Sequence, residues 1–145
     1  VKHMLLFLDF DGVLHPVSGS TPFRPECLAV LASALLSHPG IEIVITSSWR
    51  EEKPLDELKT YLGPKLGHRV IGTTPIINEP FLHHVRYHEV QEFLKHHSLM
   101  KRPWFALDDE RGSYPKDTPV ILTDRRTGLS NDDITRITDM INLLL

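Results

Sequence analysis

Short apolar runs that end in polar residues recur along the chain and set its organisation. Leu5–Leu8 runs straight into Asp9, and Ile41–Ile45 runs into Thr46-Ser47-Ser48-Trp49-Arg50. Trp104–Leu107 ends in Asp108-Asp109, Val120–Leu122 ends in Thr123-Asp124, and a weaker run occupies Arg69–Gly72. Runs this short, closed by polar or glycine residues, predict buried strands of a parallel sheet. Helical stretches separate them. Glu26–Ser37 is stopped by Pro39-Gly40, and Pro54–Leu62 is closed by Gly63-Pro64. Arg86–His97 places Val90, Phe93 and Leu94 on one face. Ser130 begins a last helix, with Asp133 where a capping box has its acidic partner. His15–Pro25, with three prolines, and the stretch up to His83 read as loops.

Strands alternating with helices predict a three-layer, Rossmann-like α/β domain with a mainly parallel five-stranded sheet. The pattern does not order the strands. A length of 145 residues suits one domain spanning 1–145, and 41% hydrophobic with 24% charged residues is ordinary for a globular protein. A net charge of −3 gives no general attraction to nucleic acid, while leaving room for a local basic patch. Cys27 is the single cysteine and forms no internal disulfide, which suits a reducing compartment. No apolar stretch approaches the roughly 20 residues that span a bilayer. Val1–Met4 leads directly into the first strand. The expectation is a cytoplasmic domain without membrane association or an evident obligate protein partner.

If the strands are parallel, Asp9 and Asp11, then Thr46, Ser47 and Ser48, then Asp108 and Asp109 line one edge of the sheet. Ligands of open α/β sheets bind beyond the carboxyl ends of the strands. Carboxylates gathered there repel one another and raise one another's pKa. Mg²⁺ resolves that conflict, taking a few carboxylate oxygens together with waters and substrate phosphate. Each group alone has an ordinary use. An acid after a strand caps a helix or shapes a turn, and Thr46-Ser47-Ser48 caps whatever follows it. Asp9-x-Asp11-Gly12 imitates the start of a calcium loop, but the later ligands of such a loop are missing. Their coincidence on three strand ends points to phosphate and metal chemistry.

Asp9-Phe10-Asp11-Gly12-Val13 after an apolar strand resembles the first motif of the haloacid dehalogenase (HAD) superfamily. Thr46-Ser47 matches its second motif, Asp108-Asp109 its acidic fourth, and Arg86 stands where the family places a Lys or Arg. Ser47-Ser48-Trp49-Arg50 and the Asp-Gly-Val-Leu-His-Pro opening are similar to small stand-alone HAD domains, relatives of which occur in RNA-repair proteins. The resemblance implies a Mg²⁺-dependent phosphatase with Asp9 as nucleophile and Asp11 as general acid and base. It also implies Mg²⁺ held by Asp9, the Asp11 carbonyl, and Asp108 or Asp109. Thr46 or Ser47 would donate to a phosphoryl oxygen, and Arg86 would neutralise another. Dehalogenases of the superfamily lack an acid at the Asp11 position, so phosphatase is favoured.

Neither point at which the family inserts a cap holds enough residues for one, so the site is expected to be open. An open site suits a large phosphorylated substrate such as a nucleic-acid end or a phosphoprotein. Arg50, directly after the second motif, is expected to bind substrate, with surface solvation as its ordinary alternative. Arg24 and Lys53 lie near the mouth or simply face solvent. A polynucleotide end-processing phosphatase is the sharper alternative, and a non-catalytic phosphate-binding or adaptor domain is the alternative from another class. Among the nine histidines, His84 and His88 have the i,i+4 spacing of a zinc pair but lack accompanying ligands. Trp49 reads first as packing and second as a base-stacking platform. Asp124 reads first as a turn residue, and Cys27 as core.

Overall fold

The computed structural model describes residues 3–17 and 23–145. Residues 18–22, part of the predicted His15–Pro25 loop, lie outside the described residues. Five strands, β1 (Met4–Leu8), β2 (Ile41–Ile45), β3 (Val70–Thr73), β4 (Trp104–Asp108) and β5 (Val120–Leu122), form one sheet. Every pairing is parallel, and the spatial order is β3-β2-β1-β4-β5. The helices are α1 (Pro25–Leu35), α2 (Leu55–Gly67), α3 (Val85–His96) and α4 (Asp132–Leu144). No helix among the described residues is long and apolar enough to cross a membrane.

Side chains alternate across a sheet, so each strand serves two cores. Leu6 and Leu8, Ile43 and Ile45, and Phe105 and Leu107 pack with α1, α2 and α4 in the larger apolar cluster. Leu5 and Phe7, Val44, and Ala106 point the other way, onto Val90, Phe93 and Leu94 of α3. Among the described residues, three helices cover one face and a single helix covers the other, which completes the three layers. Phe7 meets Phe93 and Trp104 edge to face at centroid distances of 5.8 and 5.6 Å. Among the described residues, neither the β1–α1 nor the β3–α3 connection holds a further helix or strand, so the fold carries no cap.

Boundaries depart from the sequence expectation in instructive ways. The helical backbone of α2 breaks at Gly63 (φ 83°, ψ 167°), as the Gly-Pro pair predicts, but a further turn to Gly67 follows. Pro64 can open that turn because the first residue of a helical segment needs no N–H partner. The final helix begins at Asp132, two residues after Ser130. Asp133 still does the work of half a capping box, its Oδ2 accepting the Ser130 backbone N–H at 2.9 Å. Cys27 is buried in the core, as expected.

Candidate active site

Strand register decides which polar residues meet. β1 lies between β2 and β4, with Leu8 opposite both Ile45 and Leu107. The next residues, Asp9, Thr46 and Asp108, therefore lie abreast. Backbone bonds carry the pairing that far: Thr46 N–H donates to Leu8 O (2.9 Å) and Asp9 N–H to Leu107 O (3.1 Å). Asp9, Thr46 and Asp108 stand two positions beyond Phe7, Val44 and Ala106, so the pleat turns them toward the α3 side. Thr74, two beyond Gly72 of β3, extends the row. Arg86, in the first turn of α3, is close enough for its charge to act on both Asp9 and Asp108.

Asp9, Asp108 and Asp109 each offer an oxygen within 4.8 Å of the others. Burial pushes the Asp9 carboxyl well above the usual carboxylate range. Asp108 beside it adds to the rise, and Arg86 and the Phe10 N–H oppose it. Burial likewise pushes Asp108 up to about 7 against the hydrogen bond from Glu110 N–H, with Asp109 raising it further. Asp109 is raised by burial and drawn back by Arg125, 3.6 Å away. Negative charges this close and this dry cannot all persist without a cation. Asp108 Oδ1 accepts from Glu110 N–H at 2.9 Å, but the buried Oδ2 has no partner. Three carboxylates gathered this closely, one of them with an unpartnered oxygen, are a donor set that fits a hard divalent cation.

The glycine of the first motif is required twice. Gly12 has φ +76°, in the left-handed region, and a β-carbon there would overlap the Asp109 carboxylate. Its carbonyl accepts from the Thr123 hydroxyl at 2.7 Å, which fastens the turn to the end of β5. Asp11 leaves the row and is the half-exposed acid, its side chain 38% accessible. Trp49 Nε1–H donates to Asp11 Oδ1 at 3.2 Å, and His15 Nε2 lies 2.9 Å from the same oxygen, off the line of a good hydrogen bond. The indole itself packs among Phe10, Phe23 and Tyr61. Trp49 is thus packing, as expected, and also a hydrogen-bond donor to a residue 38 positions away, which no local pattern announces.

The two candidate hydroxyls separate. Ser47 Oγ accepts from Trp49 N–H at 3.2 Å as the cap of a 3₁₀ turn (Ser48–Glu51), whereas the buried Thr46 Oγ1 has no partner. Arg50 takes a place in the scaffold. Its guanidinium donates to the carbonyls of Thr46 (2.7 Å), Ser47 (2.9 Å), Thr74 (2.9 Å) and Pro75 (3.1 Å). It also lies 2.9 Å from Glu89, and its side chain is 2% exposed. Committed to the scaffold in this way, Arg50 ties the ends of β2 and β3 together. Arg86 keeps the cationic role open: it makes one side-chain hydrogen bond among the described residues, from Nη1 to Glu89 Oε1 at 2.9 Å.

Lys53 pairs with Glu57, and Asp124 forms a turn with Arg126. His84, left-handed at φ 57°, meets the Gly112 carbonyl, and no metal-holding group of residues among the described ones includes it or His88. Two polar residues escaped the sequence reading. Thr74 ends an apolar strand just as Thr46 does, a signal obscured because β3 was expected to stop at Gly72. Tyr114 gave no signal. Its hydroxyl is buried without a partner, and burial raises its pKa, with Asp108 and Asp9 adding to the rise.

The unpartnered buried side-chain atoms among the described residues are Thr46 Oγ1, Thr74 Oγ1, Asp108 Oδ2, Tyr114 OH and the two ring nitrogens of His15. All belong to this end of the sheet or flank Asp11. Buried polar groups are ordinarily satisfied, so a cluster of exceptions in one place marks a site shaped for something that brings polar atoms with it. No curated protein sequence matches the chain. A family model, described as the HAD domain in Swiss Army Knife RNA repair proteins, matches residues 5–134. With that match over nearly the whole chain, and the acidic row where the superfamily's motifs predict it, the protein belongs to the HAD superfamily, in the family of HAD domains found in Swiss Army Knife RNA repair proteins.

Proposed function

We propose that the protein is a divalent-cation-dependent phosphatase that removes a phosphate monoester from a polynucleotide end. The observation that carries the reading is the row of Asp9, Asp108 and Thr46 with unpartnered buried atoms beside it, faced by Arg86. The family's association with RNA repair supports a nucleic-acid end as substrate, and no cap stands over this end of the sheet to exclude a large one. Asp9, Asp108 or Asp109 and the Asp11 carbonyl would hold Mg²⁺, which offsets the charge of carboxylate and phosphate as they approach.

Asp9 Oδ attacks phosphorus in line, and the bond from phosphorus to the ester oxygen breaks. Asp11, held by Trp49 at the exposed lip, gives its proton to that leaving oxygen. The aspartyl-phosphate is then hydrolysed: Asp11 takes a proton from water, the water oxygen bonds to phosphorus, and the bond between Asp9 and phosphorus breaks to release phosphate. Arg86 and the Thr46 hydroxyl receive the phosphoryl oxygens. Tyr114 and Thr74 supply further hydroxyls at the margin of the row.

The test is hydrolysis of an aryl phosphate and of 3′- and 5′-phosphorylated oligoribonucleotides, with and without Mg²⁺, by wild type and Asp9→Asn. Mg²⁺-dependent turnover lost in Asp9→Asn supports the proposal, and a preference for one oligonucleotide end identifies the substrate. Turnover that survives Asp9→Asn removes the nucleophile. A folded protein that neither turns over these esters nor binds Mg²⁺ is a binding or adaptor domain instead.

A further inference from the structure

A buried acid that the proposed chemistry does not use lies between the two arginines. Glu89 is on α3, one turn after Arg86, and is 2% exposed. Its Oε1 accepts from Arg86 Nη1 at 2.9 Å. Its Oε2 accepts from the Ile77 backbone N–H at 3.1 Å and lies 2.9 Å from Arg50 Nη2. Arg50 in turn holds the carbonyls of Thr46 and Ser47. One carboxylate is therefore shared between the cation that faces Asp9 and the arginine that clamps the turn bearing Thr46.

We infer that Glu89 is a positioning residue, which aims Arg86 at the acidic row and fixes its distance from Thr46. What Arg86 binds rests on the phosphatase reading; that Glu89 holds it does not. The physical need is clear. An arginine side chain loses considerable rotamer entropy when fixed, and near two carboxyls with raised pKa a free one would swing directly onto them. Two hydrogen-bonded oxygens on a helix residue pay that entropy during folding instead of during substrate binding. The order along the chain of charges, Arg50, Glu89, Arg86, then Asp9 and Asp108, alternates in sign. Each buried charge has an opposite neighbour, the condition under which such groups persist away from water.

The same network explains a difference between the arginines. Burial lowers the pKa of Arg50, with Glu89 offsetting part of the effect. For Arg86 burial acts in the same direction, but the hydrogen bond and charge of Glu89, with Asp9 and Asp108, outweigh it and raise the pKa. Arg86 is the arginine placed between two sets of acids, one structural and one in the site.

The experiment begins with the wild-type protein free of substrate, where ¹⁵N relaxation of the Arg86 Nε–H reports the order of the side chain. Order comparable to the backbone is expected; a mobile Arg86 overturns the inference at once, without any variant. Glu89→Asp then keeps the charge but is one methylene too short to reach both arginines, and avoids the unfolding risk of removing a buried charge. It is expected to loosen Arg86 and to weaken inorganic phosphate binding and aryl-phosphate turnover by about 10- to 100-fold. In an Arg86→Gln background the same change is expected to cost less than about twofold, because the group it positions is gone. Equal losses in both backgrounds, or an unchanged Arg86 signal in Glu89→Asp, make Glu89 structural only. An ordered Arg86 that loosens in Glu89→Asp, in a protein without phosphatase activity, upholds the brace and sinks the phosphatase reading alone.

Discussion

The two faces of the sheet are built from the same strands and end differently. On the side of α1, α2 and α4 the alternation continues past β1 as Phe10, and Val13 joins it after the turn at Gly12, both fully buried among apolar neighbours. On the side of α3 it continues as Asp9, Thr46 and Asp108, and the apolar cluster stops at Phe7, Val44 and Ala106. One face invests its last row in packing and the other leaves its last row chemically unsatisfied. The difference shows that stability and chemistry are segregated by side-chain parity as much as by distance along a strand. A pair of residues one position apart, Asp9 and Phe10, belongs to different layers of the molecule.

Asp9→Asn gives the largest expected effect and tests the segregation from the chemical side. Turnover should fall by more than about a thousandfold, while metal-free stability in urea holds or rises because a repelling carboxyl is gone. A clear loss of stability would mean the row is part of the packing. Leu6→Ala tests the opposite side: Leu6 is fully buried against the larger cluster, so about 2–5 kcal/mol of stability should be lost. Phosphatase KM should be preserved while the protein remains folded, and a selective loss of KM would break the separation.

The acidic row also predicts how stability depends on pH. Asp108 titrates at about 7 in the folded chain against an ordinary value of 3.8, and Asp9 is raised as well. A raised acid makes the folded state hold the proton more tightly than the unfolded one, so its contribution is full below pH about 4. The contribution is lost as pH climbs through about 7, and the coupled carboxyls of the row share that loss. Urea melts of metal-free protein between pH 4 and 8 should show stability declining, with Mg²⁺ reversing the decline. A flat profile without metal would mean that neither burial nor mutual repulsion raises these carboxyls.

Two smaller effects sharpen the boundary. Gly12→Ala places a β-carbon against Asp109 at a left-handed position, and should cost about 1–3 kcal/mol with weaker Mg²⁺ binding by calorimetry. Tyr114→Phe removes a buried hydroxyl that has no protein partner, so stability should stay within about 1 kcal/mol of wild type or improve. A change in phosphate affinity without a change in stability would place that hydroxyl in the site.

The first motif was legible because its signal is local: an apolar run, two acids and a glycine within ten residues. Thr46 and Asp108-Asp109 were legible for the same reason, each closing an apolar strand. The contacts of Arg50 were not legible, because a basic residue beside a phosphate motif has two uses, and only the folded chain shows its guanidinium on four backbone carbonyls. Glu89 had a faint local trace, since it lies three residues after Arg86 on a helix, where such pairs form readily. Tyr114 had none, as nothing near it in the chain predicts that it returns to Asp9.

Apolar periodicity alone predicted that this chain alternates strands and helices around a mainly parallel sheet, which would gather acids and hydroxyls at one edge. Those properties depend on spacing within a few residues, where side-chain direction is set by the period of the backbone. The strand order, with β1 between β2 and β4, was decided only by the tertiary structure, and with it the adjacency of Asp9, Thr46 and Asp108. So were the Glu89, Thr74 and Pro75 partners of Arg50 and the Trp49 partner of Asp11. These depend on residues far apart in sequence but held within a hydrogen bond's reach, a distance that packing of the whole domain sets and no stretch of the chain encodes by itself.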